Sequence, residues 1–152
     1  TYKEVLAREQ EFERISVAVL DMATAPVAIL DEHGTIIAVN QAWRAFAMET
    51  AGMPGPLAEG ANYLRICNDA QGNDADAADA FARGIRAVLR GECTQFVRKY
   101  PRHSPNKRSW FFGRATRLPG EGATRVMVVH ELPRERTKKG QTPPAIAPTP
   151  RR

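Results

Sequence analysis

Three histidines, two cysteines and one acid-free basic stretch are the residues from which this sequence could build a reactive or binding centre. His33 stands in a Glu-His-Gly turn, His103 between two extended segments, and His130 near the end of the last one. No Ser or Cys stands beside them in a recognisable nucleophile motif, and Gly120-Glu121-Gly122 is only a strand turn, so no catalytic constellation is expected and the chain is read as non-enzymatic. His103 and His130 should lie toward the same end of a sheet. Two imidazoles without a third ligand make a weak metal site, so structural hydrogen bonding is the preferred role and no metal is assigned. Cys67 and Cys93 form no CxxC pair and no zinc knuckle, which fits a reducing, cytoplasmic setting. Between Cys93 and Pro119 stand Arg98, Lys99, Arg102, Lys107, Arg108, Arg114 and Arg117 without one acid. They read either as a docking face for an acidic partner or as a solvated strand edge that resists sheet-to-sheet aggregation.

The net charge of +5 misleads until it is located. Residues 133–152 hold six basic side chains against Glu135 alone, which accounts for all of it and leaves sixteen basic and sixteen acidic residues before them. A neutral body with a basic, proline-rich tail makes a nucleic-acid partner the least favoured class. No apolar run reaches the ~20 residues of a membrane span, and a secretory signal pattern is missing from the first residues. At 152 residues and 43% apolar content the chain suits one domain with a real core. It begins at Thr1 and not Met, which leaves open a longer parent chain carrying an effector domain.

Residues 1–24 contain no Gly or Pro, and Val5, Phe12, Ile15, Val19 and Met22 recur at spacings of about three and four with Arg8 interrupting, so an amphipathic helix is expected. Its stripe is assigned as a candidate dimer contact, against packing on its own domain. Val27–Asp31 and Thr35–Asn40 read as a hairpin around Gly34, and Asn40 as the N-cap of a helix bearing Trp43 and Phe46 that ends near Gly52. After a Pro/Gly-rich loop come a short helix at Asn62–Ala70 and a longer one at Asp74–Arg90, the latter with Phe81, Ile85, Val88 and Leu89 on one face. Three extended segments follow, Thr94–Pro101, Lys107–Leu118 and Thr124–Leu132, and propose an antiparallel meander in which Phe112 stands roughly opposite His130. Five strands and several helices give an α+β domain over residues 25–132, with residues 1–24 as a separate helix and 133–152 as a linker or tail.

The hairpin VAILDEHGTIIAVNQAW, together with GANYLRIC (Gly60–Cys67), GIRAVLRGE (Gly84–Glu92) and YPRHSPNKRSWF (Tyr100–Phe112), resembles a PAS domain of a bacterial signalling subgroup. The resemblance spans about Ala25 to Leu132. It implies a five-stranded antiparallel sheet in the order 2-1-5-4-3 with helices on one face and often a dimer at the other. Two departures stand out: Arg102 occupies a position that is usually small or Cys, and Leu132-Pro133-Arg134 replaces the Asp-Ile-Thr type motif that links the last strand to an output helix.

The resemblance further implies a sensory or dimerisation module of a two-component type signalling protein, working as a cytoplasmic homodimer. The alternatives are a ligand-free interaction scaffold of the same fold and a nucleic-acid-associated regulator acting through the tail. Ligands of PAS domains sit between sheet and helices, which makes Trp43, Phe46, Tyr63, Phe81, Ile85 and Phe112 candidate pocket residues; the competing reading is that they fill the core. Haem is disfavoured because residues 74–90 lack the expected His, and flavin because NYLRIC does not match the Asn-Cys-Arg-Phe-Leu segment. No cofactor is therefore assigned, and room is left for an unidentified small ligand.

Overall fold

A computed structural model of the chain describes residues 1–49, 57–70, 75–104 and 107–131, with backbone alone for 49, 100–104 and 107–111. The exit at Leu132-Pro133-Arg134, the tail, the Gly52 helix end and the Arg102 side chain lie outside what is described. The order is α1 (Tyr2–Met22), β1 (Val27–Leu30), β2 (Ile36–Val39), α2 (Gln41–Glu49), α3 (Tyr63–Asn68), α4 (Ala75–Leu89), β3 (Gln95–Ser104), β4 (Lys107–Arg117) and β5 (Val126–Glu131). The five strands form one antiparallel sheet in the order β2-β1-β5-β4-β3. That is the α+β PAS architecture expected from the sequence.

The first hairpin closes as its residue types require. Asp31 Oδ1 accepts from the amides of His33 and Thr35, each at 2.9 Å, and Gly34 takes the left-handed backbone at φ 84° that a side chain would oppose. Ala28 pairs with Val39 and Leu30 with Ile36, so the register slips and Ile37 is left as the extra, exposed residue of a bulge.

Strand alternation then sorts the sheet into two faces. Ala28, Leu30, Ile36, Ala115, Val126 and Val128 are buried on the inner face. They meet Trp43 of α2, the buried Tyr63, Leu64, Ile66 and Cys67 of α3, and the α4 stripe of Ala77, Ala78, Phe81, Ala82, Ile85 and Val88. The small residues of α4 let it lie close to the sheet. Gly84 is the extreme case, because a Cβ there would collide with the Phe96 ring of β3.

One register expectation is corrected. Phe112 pairs with Glu131, and it is Gly113 that faces His130 across β4 and β5. A slip of one residue exchanges the faces. Phe112 therefore stands 37% exposed on the outer face, while Gly113 and Ala115 are buried inside. The same pairing separates the two histidines: His103 is level with Arg108 and His130 with Gly113, about 16 Å apart along the strands at the usual rise per residue. They do not form a metal pair.

The outer face keeps Val97 and Phe112 open. Helix α1 does not cover it, since none of its residues is buried. No helix among the described residues is long and apolar enough to cross a membrane.

Replacing Gly84 by Ala should raise intrinsic helix propensity by ~1 kcal/mol yet destabilise the domain by about 2 kcal/mol, because Phe96 must leave its seat against Phe81. Urea unfolding of the two proteins checks this, and a variant as stable as the parent would contradict it.

Candidate functional site

The alternation of β5 carries Val126 and Val128 inward, and one step further it carries His130 inward too. Its imidazole is fully enclosed by rings from three helices. Trp43 meets it edge-on at 5.1 Å between centroids, Phe46 at 4.7 Å and Phe81 at 6.3 Å. Tyr63 Oη lies 3.2 Å from His130 Nε2, a hydrogen bond joining α3 to the end of the sheet. Gly113, directly opposite on β4, brings no side chain into the space. Burial depresses the imidazole from its ordinary value near 6.5 to about 3, so the ring is neutral at physiological pH. Burial also pushes the nearby Cys67 thiol up to about 12, against the moderating effects of the Tyr63 hydrogen bond and the Arg86 charge. A thiol held that way is a poor nucleophile, in keeping with a structural role.

Of the six candidate pocket residues, the structure gathers five. Trp43, Phe46, Tyr63 and Phe81 are linked by ring contacts, and Ile85 is buried in the same cluster. Phe112 is the exception, on the other face for the register reason given above. His130, which the sequence reading treated as a strand-end residue, is the centre of the group. The signal for it was the Val-x-Val-x-His alternation of β5.

A second set of contacts fastens α1 to this cluster. Asn40 is fully buried between β2 and α2. Its Oδ1 accepts from the amides of Val27 and Trp43, both at 2.9 Å, so it caps α2 as expected and also ties in β1. Its Nδ2 donates to the carbonyls of Leu20 (3.1 Å) and Ala25 (2.9 Å), reaching the last turn of α1 and the link that follows it. Asp21 of α1 in turn accepts from the amide of Gln41 at 2.9 Å. Two residues after Gln41 comes Trp43, whose Nε1 donates to the Leu57 carbonyl at 2.9 Å and whose ring rests on His130. Rings, cap and helix end thus form one connected unit. The five candidate dimer-contact residues Val5, Phe12, Ile15, Val19 and Met22 fall within an arc of about 100° on α1, each 50–81% exposed.

The depressed imidazole has a consequence for stability. Its folded pKa lies below its unfolded one, so between about 6.5 and about 3 the unfolded chain binds more protons, and stability falls with falling pH. From pH 7.5 to pH 5.0 this single group should cost about 2 kcal/mol. Replacing His130 with Gln should remove that part of the pH dependence in urea titrations; identical slopes in the two proteins would refute it. Asn40→Ala should cost about 3 kcal/mol, since it strands the buried amides of Val27 and Trp43 and removes the donor to the part-buried Ala25 carbonyl. Asn40→Asp should recover little of that loss, because a carboxylate cannot donate to Leu20 and Ala25; denaturant midpoints check both.

Three comparisons bear on these features. A family model described as PAS fold matches residues 20–136. A relative in Rhodobacter capsulatus, an uncharacterized 104.1 kDa protein in the hypE 3′ region, is 37% identical over 121 residues; these make up 77% of this chain but only 12% of that protein. The PAS domain of BvgS from Bordetella pertussis superposes with a TM-score of 0.53 at 13% identity, covering 83% of this chain and 89% of that one. The phage VqmA–DPO complex superposes at 0.54 and 21% identity, over 81% and 53% of the respective chains. With the five-stranded 2-1-5-4-3 sheet already in place, the family model matched over residues 20–136 establishes that this chain belongs to the PAS fold family.

Proposed function

We propose that the chain is the cytoplasmic sensory and dimerisation module of a bacterial signal-transduction protein, and that it relays binding of a small ligand or a partner as a change in dimer packing. One observation carries this reading: α1 displays an apolar stripe with no buried residue, yet its last turn is bonded through Asn40 and Asp21 to the helix that rests on the His130 ring cluster. A 21-residue helix cannot hide such a stripe alone, and a second copy supplies the same stripe in symmetry-related form. A shift of the rings around His130 would move Trp43, the α2 cap and the end of α1 together. The relay needs no reacting group, only two packings of close energy. An effector domain in a longer parent chain would read the change.

A second reading, a ligand-free interaction scaffold, is favoured by the core itself: Trp43, Phe81 and Ile85 are fully buried and packed against one another's elements. Native mass spectrometry of protein purified from its source separates the two. A bound small molecule supports sensing, and an empty dimer supports the scaffold.

The dimer is tested by Phe12→Glu and Val19→Glu in the full chain. Both side chains are exposed, so each variant should keep its melting temperature within about 2 °C while light scattering shows a fall from dimer to monomer mass. A parent that is already monomeric, or variants that remain dimeric, would remove α1 from the interface.

A further inference from the structure

Away from the ring cluster, the first hairpin turn, α3 and α4 enclose an open cleft of about 360 Å³. Arg65 of α3 and Arg86 of α4 line it, with His33 of the turn on its rim, Leu64 at its side, and Asn68 and Asp69 at the end of α3. The walls are held in place. Asn62 donates through Nδ2 to the His33 carbonyl at 2.9 Å and accepts at 3.0 Å from the Arg65 amide through Oδ1, and Leu64 packs against Gly34.

The charge of this cleft is out of balance. Arg44, Arg83, Arg90, Arg114 and Arg125 each lie within salt-bridge distance of a carboxylate. Among the described residues neither Arg65 nor Arg86 does. Asp69, the one acid in the cleft, stands four residues after Arg65 and pairs with neither of them. The His33 ring is directed to Glu32 at 3.6 Å. Arg86 is half-buried, close enough for its charge to reach the enclosed Cys67 thiol. Arg86 is the partly desolvated guanidinium of the two, and an anionic group bound there gains charge-assisted N–H···O bonds, with the exposed Arg65 on the same cleft as a second donor fork. A cleft of this size admits a small molecule.

We propose that the Arg65–Arg86 cleft binds the phosphate or carboxylate group of a small ligand. The Asn68 amide supplies a further donor, and Asp69 disfavours ligands that crowd several negative charges into the cleft. This site is independent of α1 and of the ring cluster, so it stands or falls apart from the dimer relay.

The test is an amide and arginine Nε–H NMR titration of the full chain with inorganic phosphate and, separately, with acetate, against sodium chloride at matched ionic strength. Saturable shifts confined to His33, the segment 62–69 and Arg86 are expected. Saturation with phosphate alone assigns a phosphoryl group, and saturation with acetate assigns a carboxylate. Arg86→Gln and Arg65→Gln should each weaken binding at least tenfold; the exposed Arg65 keeps the test readable if the Arg86 variant does not fold. The proposal is overturned if neither anion saturates, if chloride reproduces the shifts, or if the variants bind like the parent.

Discussion

The fold depends most on one uncharged side chain buried where three elements meet. A carboxamide can accept and donate at once, and Asn40 uses both ends: the oxygen gathers the amides that open β1 and α2, and the nitrogen gathers the carbonyls that close α1 and the link to β1. Buried peptide groups at helix ends and strand starts cost about 1–3 kcal/mol each when left unpaired. Here one residue satisfies two buried amides and also donates to two part-buried carbonyls, of which Leu20's accepts from the Ala23 amide as well. No apolar residue could do so, and a carboxylate, which only accepts, or an ammonium, which only donates, offers one function alone. The entry angle of α1, the first turn of α2 and the position of Trp43 are therefore set together.

The second constraint is the division of the sheet by strand parity. The bulge at Ile37 and the pairing of Gly113 with His130 decide which side chains face the helices. With Gly113 opposite, the imidazole has room to sit among Trp43, Phe46 and Phe81. With Phe112 there instead, two rings would compete for the same volume and the helices would have to withdraw. The glycine in β4 and the histidine in β5 are complementary, and so are Gly84 in α4 and Phe96 in β3. At Gly84 the missing side chain is the seat of the Phe96 ring, and at Gly113 it leaves the position opposite His130 without a side chain.

Most of the fold was legible in the sequence because its signals are local. Gly34 in the turn, Asn40 before a helical run, the 3.6-residue period of residues 75–89 and the three β-rich segments place every element within a few residues. The site was legible only in part. Five aromatic and aliphatic candidates converge because helical periodicity assigns faces without reference to other elements. Phe112 failed because the face of a strand residue depends on register, and register is a property of two strands and the turn between them. The five-residue turn region after Leu118 allowed an error of one, and one suffices. The wider role of Asn40 was hidden for a related reason: an N-cap is a local pattern, whereas its bonds to Leu20 and Ala25 join residues that no local pattern associates.

How motion in the core reaches α1 follows from what lies between them. Trp43 is pinned at both ends, by its backbone amide on Asn40 and its indole N–H on the Leu57 carbonyl, while its ring touches His130. A displaced ring cannot relax by rotating alone, because that would break the bond to Leu57 inside the core, so the displacement passes into the α2 backbone. There the Gln41 amide is bonded to Asp21 and the capping oxygen belongs to Asn40, so α2 and the last turn of α1 move as a body or several bonds, the buried cap among them, break together. Breaking them costs several kcal/mol, whereas tilting an α1 that buries none of its residues costs little in this chain. The softer mode is the tilt of α1, the helix whose exposed apolar stripe the proposed dimer would use.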